Sequence, residues 1–404
     1  MRKTRILLHP DLFHTGNSGA IVAREAARQL TLLGYEVGVF THDPPGAEAS
    51  PYPFFSRKAY RGKANYAPGP YRSSFLKALA EFRPDSLFFI GTIINIPVVY
   101  HDLCRENGIH TAFLLLVQDF FCARLHAALG SGPCTRCLTG LGLHAFLHRC
   151  ADKQPRPLPY LLNYQVVRQM VVPRLKRIDH VMGSSDEQLG YYRQVGVSAD
   201  RLRKIPLFFD QSRIKPTEGR NEGYFVIIGQ NRHEKGIHLV RRIMEKLRKE
   251  IRVKMMFFDD RETEEFLRDH PGNKPYVESG QLEVLPGVTM TNGGPELIAR
   301  SSGVINPSIW ATTTEYVLLE TLGYSKPVIA FGVGIHREVL LHRENGLCVP
   351  AGDFAGMAAE IHYLADHPEK VERIGNAARS LYHRLTDASA FSGTLVEVFG
   401  PPGR

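Results

Sequence analysis

The run Gly303-Val304-Ile305-Asn306-Pro307-Ser308-Ile309-Trp310, a Thr-rich turn, Glu315-Tyr316-Val317-Leu318-Leu319-Glu320-Thr321-Leu322-Gly323 and then Lys326-Pro327-Val328-Ile329-Ala330 decides the fold. It reads as strand, loop, helix, strand, one unit of an open α/β sheet. In such a sheet a ligand sits outside the carboxyl ends of the strands, where helix N-termini offer unpaired N–H groups to phosphates. Glu320 falls at least one turn inside the helix, so its carboxylate is placed to accept from ribose hydroxyls rather than to oppose phosphates. The unit closes with Gly332-Val333-Gly334-Ile335-His336-Arg337-Glu338 and with Glu344–Asp353.

Working outward, 404 residues exceed one ordinary core and predict two domains. Hydrophobic content of 43% and charged content of 23% are globular values. No apolar run approaches the roughly 20 residues that span a bilayer. The basic, short apolar start Met1–Pro10 reads as a first strand rather than a signal peptide, so a cytoplasmic location is expected, with peripheral contact at the inner membrane face as a further option. The formal charge of +9 is uneven: residues 1–210 hold 26 Lys+Arg against 16 Asp+Glu, and residues 211–404 hold 24 against 25. That excess suits an anionic partner such as a lipid phosphate or acidic glycan, or is a basic solvated surface. No nucleic-acid motif accompanies it, so nucleic acid is not an expected partner.

The N-terminal half alternates strand runs (Arg5–His9, Glu36–Thr41, Ser86–Ile90, His110–Val117, His180–Gly183) with helical patterns, which predicts a mostly parallel sheet covered on both faces. Gly16-Asn17-Ser18-Gly19 precedes a helix over 20–33, with Ser18 as its expected cap. The polar link 211–223 is the expected boundary. A second unit begins at Tyr224–Gly229, continues through Gln230-Asn231-Arg232-His233-Glu234-Lys235-Gly236 and a helix over 237–249, and has strands near 253–258, 282–285, 303–306 and 328–330. Helices follow over 355–366, 371–385 and 388–399. Tyr160–Arg177 is apolar with a basic end, a pattern met by a helix packed on the sheet and also by one touching a membrane.

These motifs resemble the retaining family-4 (group 1) glycosyltransferases of the GT-B fold, over almost the whole chain. The resemblance implies two Rossmann-like domains, 1–210 for the acceptor and 224–385 for the nucleotide-sugar donor, with a terminal helix over about 386–404 crossing back. It implies transfer of a sugar from a UDP- or GDP-sugar to an acceptor hydroxyl with retention, on a glycan, lipid-linked sugar or metabolite. Glu320 matches the family's second motif glutamate, on the ribose. Lys235 stands at its phosphate lysine, with Arg232 beside it, and the 16–19 loop (Gly16, Ser18, Gly19) faces the diphosphate together with Thr314 and Glu315. No catalytic metal is implied, because basic groups and helix ends take that role.

Three positions depart from the family. Thr312 stands where the first motif glutamate should be, Gln230 where an arginine should be, and Gln118, before Asp119, where a histidine should be. These departures support an alternative reading, a catalytically degenerate relative that binds a nucleotide or glycan as a partner subunit. Cys122, Cys134, Cys137 and Cys150 follow at intervals of eleven, two and twelve residues. Their spacing suits a closed structural zinc site, with free thiols or disulfides as the other readings.

Overall fold

Among the described residues, thirteen strands in two sheets alternate with helices, and a two-strand hairpin, Ala128–Leu129 with Gly132–Pro133, stands apart from them. The computed structural model describes residues 2–403 other than 16–17, 44–49, 58–67, 95, 141, 153, 207–208, 216, 218 and 313–314. Gly16 and Thr314 therefore lie outside the described residues.

The first sheet contains β1 (Arg5–Pro10), β2 (Glu36–Thr41), β3 (Phe54–Ser56), β4 (Ser86–Gly91), β5 (His110–Leu115), β6 (His180–Gly183) and β7 (Leu202–Lys204), in the order β3-β2-β1-β4-β5-β6-β7. The second contains β8 (Phe225–Ile228), β9 (Val253–Met256), β10 (Leu282–Leu285), β11 (Gly303–Asn306), β12 (Val328–Phe331) and β13 (Leu347–Val349), in the order β10-β9-β8-β11-β12-β13. Every pairing in both sheets is parallel. Helices on both faces bury the strands, which is why the central ones read as unbroken apolar runs. The fold is thus two Rossmann-like α/β domains, as expected.

Each sheet reverses its strand order once, between β1 and β4 and between β8 and β11. Those switch points open crevices at the carboxyl ends of the strands. The loops that leave them begin at Asp11 and Thr92 in one domain and at Gly229 and Pro307 in the other.

The helix Ala388–Phe399 packs Phe391, Leu395 and Phe399 against Ile6, Leu8 and Phe88 of the first domain. Thr4 N–H donates to the Pro402 carbonyl at 3.0 Å, closing the chain on itself. Among the described residues no helix is long and apolar enough to cross a membrane.

Two local expectations are corrected. Ser18 is the first residue of the helix Ser18–Leu32 rather than the residue before it. The single helix expected over 237–249 is a 3-10 turn, Ile237–Leu239, and a short helix, Val240–Met244. Beyond it the chain tightens into i→i+3 turns, and Arg248 N–H donates to His362 Nε2 at 3.1 Å, which draws the backbone off the helical path.

Candidate active site

On the second domain the site grows from two loops at the β8/β11 switch point. Ile309 N–H and the Ser308 hydroxyl both donate to the Glu234 carbonyl, at 3.1 and 3.3 Å, stitching the loops together. Gly236 permits this approach: its φ is +73°, and a Cβ there would lie 1.9 Å from the Pro307 carbonyl oxygen. The loop so fixed places Lys235 Nζ 5.2 Å from the centroid of the Trp310 ring, a cation over an aromatic face. Arg232 is exposed and stands 3.9 Å from the buried Glu234, while Gln230 is half-buried in the same loop.

At the end of β11 the Asn306 amide donates to Glu315 Oε1 at 3.1 Å and lies 3.3 Å from His336 Nε2. Glu315 and His336 are both 1% exposed. Burial holds the His336 imidazole below its ordinary value, Glu315 opposing and Lys235 adding to the effect. Glu315 immediately precedes the helix Tyr316–Gly323, and Glu320 lies inside that helix. Glu320 is buried, and its nearest cation is Arg213, at 3.8 Å. Burial lifts its carboxyl to about 7 against the pull of that arginine. Arg213 itself lies over the Phe209 and Tyr316 rings, at 5.3 and 5.6 Å. A cavity of about 310 Å³ lies between Phe209, Arg213 and Tyr316 and, on the first helix of the N-terminal domain, Ile21, Arg24 and Glu25.

On the first domain the loop before Gly16 is held from two sides. Asp43 Oδ2 accepts from the N–H groups of Phe13 and His14 at 2.8 and 2.6 Å, and Arg24 Nη1 donates to the Thr15 carbonyl at 2.7 Å. Ser18 and Gly19 follow at the start of the helix. Asp11, directly after β1, accepts from Thr92 N–H at 2.7 Å, and Asp119, after β5, accepts from Ile94 N–H at 2.8 Å. Two carboxyls thus brace the loop that leaves β4. Burial raises them to about 6 and about 8.

The two halves meet across the 310–312 segment. The Trp310 indole donates to Gln118 Oε1 at 2.7 Å, and Gln118 Nε2 donates to the Ala311 carbonyl at 2.8 Å. Gln188 Nε2 donates to the same carbonyl at 2.9 Å, and the Ser184 hydroxyl to that of Thr312 at 3.3 Å. Thr312 is buried in this contact. His126 meets the Trp310 ring edge-on at 4.4 Å and Glu234 at 3.5 Å. Further along, Glu187 accepts from Gly334 N–H at 2.8 Å, and Lys204 pairs with Glu338 at 2.6 Å.

The structure therefore brings Lys235, Glu315, Thr312 and Gln118 to one cleft, with Glu320 deeper along the helix. Asp119 sits beneath it, inside the first domain. Sequence reasoning did not single out Trp310, His126, Asn306, His336, Arg213 and Asp11 as site residues. Trp310, the one tryptophan of the chain, carried the only local signal.

The structure lends the zinc reading no support. Cys122, Cys134, Cys137 and Cys150 are near enough to influence one another electrostatically, yet all are free thiols. Among the described residues no three His, Cys, Asp or Glu side chains are gathered as a metal ion requires. The Cys137 thiol turns to the Gly142 carbonyl at 3.7 Å, and burial raises the Cys122 thiol to about 12.

Residues 208–381 match the family model described as Glycosyl transferases group 1. That stretch is similar to the group 1 glycosyltransferases, and the paired Rossmann-like domains form a GT-B fold. A stretch of 72 residues is 33% identical to the D-rhamnosyltransferase WbpZ of Pseudomonas aeruginosa, covering 18% of this chain and 19% of that protein. The aligned stretch is thus about a fifth of the relative's length. Among solved structures, sucrose-phosphate synthase of Thermosynechococcus elongatus superposes with a TM-score of 0.72 at 16% identity, over 98% of both chains. Anabaena Alr3699/HepE in complex with UDP and glucose does so with a TM-score of 0.66 at 14% identity, also over 98% of both. At these identities the likeness is one of fold.

Proposed function

We propose that this protein transfers a sugar from a nucleoside-diphosphate sugar to an acceptor hydroxyl with retention of configuration. The observation that carries the reading is the gathering, at the β8/β11 switch point, of Lys235 and the amino end of the Tyr316–Gly323 helix, with Glu320 one turn inside it. Negative charge accumulates on the departing diphosphate, and a fixed cation with oriented N–H groups in a closed cleft lowers that barrier. Lys235 supplies the cation, with Arg232 able to swing in from the surface. Glu320 accepts from the ribose hydroxyls, with UDP- or GDP-sugars as the donors. Gln118, Thr312 and the Trp310 segment border the place of the transferred sugar.

Retention fits the acceptor side. An inverting displacement calls for a free base opposite the leaving group, whereas Asp11 and Asp119 are both engaged in accepting from backbone N–H groups. Asp119 then acts as a positioning residue for the Thr92–Ile96 loop. The acceptor, a glycan, lipid-linked sugar or metabolite, enters from the N-terminal domain.

Thermal unfolding against UDP, GDP, ADP, CMP and dTDP and their sugar conjugates tests this. A ligand at 100 times its Kd adds about 2.7 kcal/mol. One diphosphate should stabilise selectively, and the shift should vanish in Glu320→Ala. No shift with any nucleotide would refute the donor site, and a shift without donor turnover would favour the partner-subunit reading.

A further inference from the structure

Between Asp119 and Asp179, residues 120–178 hold nine Lys and Arg and a single acid, Asp152. That one segment of the first domain carries nearly the whole formal charge of +9. Its main element is the helix Pro157–Leu175, which buries Leu161, Tyr164, Val167, Val171 and Leu175 on its inner face. The outer face shows Leu158, Leu162 and Val166 at i, i+4 and i+8, so they form one stripe. The short helix His144–Leu147 packs beside it and adds Leu143 and Leu147. These five side chains are 50 to 75% exposed, and they make up half of the ten exposed large apolar residues among those described.

The surroundings of the stripe are cationic. Arg149, Arg156, Lys176 and Arg177 are exposed, and none of their side chains has an acidic or hydrogen-bonding partner among the described residues. An exposed apolar stripe on a helix with unpaired cations at both of its ends gains little from water. It matches an anionic bilayer, where leucines enter the acyl boundary and the cationic heads meet lipid phosphates.

We propose that the outer face of the Pro157–Leu175 helix, with Leu143 and Leu147, docks on an anionic lipid surface. The hydroxyls of Tyr160 and Tyr164 donate to the carbonyls of Ala123 and Asp119, at 2.9 and 2.8 Å, which ties the leucine-bearing half of the helix to the cleft loop. Docking there holds the acceptor side of the cleft beside the membrane. The proposal rests on this surface and not on the transferase reading.

Co-sedimentation of the full chain with phosphatidylglycerol/phosphatidylcholine vesicles and with pure phosphatidylcholine vesicles, without any nucleotide, tests it. Binding is expected only to the phosphatidylglycerol vesicles. It should fall about tenfold or more in Leu158→Gln/Leu162→Gln and again in Lys176→Glu/Arg177→Glu, with the melting temperature of each variant unchanged. Exposed positions keep the variants folded, so a loss reads on the surface itself. Absence of binding to phosphatidylglycerol vesicles overturns the proposal, as does binding that the leucine changes leave intact. A dimer that the leucine changes disperse, without lipid binding, overturns it in favour of a second copy of the chain.

Discussion

Gln118 and Trp310, one from each domain, are joined by a hydrogen bond of 2.7 Å from the indole N–H to the amide oxygen, while the amide nitrogen reaches the neighbouring Ala311 carbonyl at 2.8 Å. One side chain thereby satisfies a donor and an acceptor of the opposite domain, both in a cleft that excludes water. Gln118→Glu keeps the acceptor but sets a carboxylate against a carbonyl, so it should open the cleft more than Gln118→Ala does. In a double-mutant cycle with Trp310→Phe the coupling free energy should be about 1–2 kcal/mol, read from thermal unfolding. A coupling near zero would mean that the contact contributes nothing to closure.

Lys235 is held by a loop whose geometry depends on Gly236, so its charge is directed rather than loose. Lys235→Ala should lower kcat for donor turnover by roughly 10²–10³, the usual cost of removing one group that stabilises developing charge. Lys235→Arg should recover part of it. Equal losses for both variants would point to packing against Trp310 instead of charge. The melting temperature should change little in either case.

Much of the fold was legible because parallel strands buried on both faces must be apolar throughout. Glu36–Thr41, His180–Gly183, Leu282–Leu285 and Gly303–Asn306 stand where the sequence placed them. Phe54–Ser56, Leu202–Lys204 and Leu347–Val349 were missed. Each is a three-residue strand at a sheet edge, too short to show a pattern. Motif spacing placed Lys235 in the loop after Phe225–Ile228 and Glu320 inside a helix, and the structure has them there. The partnerships of Gln118 with Trp310, of His126 with Glu234 and of Arg213 with Glu320 were not legible, because they arise only when segments distant in sequence are folded together. For the cysteines, two-residue spacing permits convergence of thiols but does not impose it, and among the described residues no three ligand side chains are gathered.

Glu320 is buried beside one arginine at 3.8 Å, and its carboxyl is raised from 4.5 to about 7. A buried acid of this kind destabilises the empty protein once it ionises. Glu320→Gln should therefore raise the melting temperature of the ligand-free protein more near pH 8 than near pH 5. The same variant should weaken the stabilisation by the selected nucleoside diphosphate about tenfold or more in Kd, since a hydrogen bond to a charged acceptor is lost. Stabilisation without loss of nucleotide affinity would remove Glu320 from the donor site.

Asp119 gives the clearest pH dependence. Burial raises its carboxyl from 3.8 to about 8, with the Ile94 N–H opposing and Asp11 adding to the rise. Between those limits the folded protein binds more protons than the unfolded chain, so stability is greatest at the acid end and declines as pH climbs toward 8. Asp119→Asn keeps an oxygen for the Ile94 N–H and cannot ionise. Its melting temperature relative to the parent should rise steadily from pH 5 to pH 8, flattening the slope. Glu320 titrates in the same direction, so the flattening will be partial and should deepen when Glu320→Gln is added. Parallel slopes for parent and Asp119→Asn would show that the Asp119 carboxyl is already ionised across this window, and would return it to candidacy as an anionic group of the acceptor side.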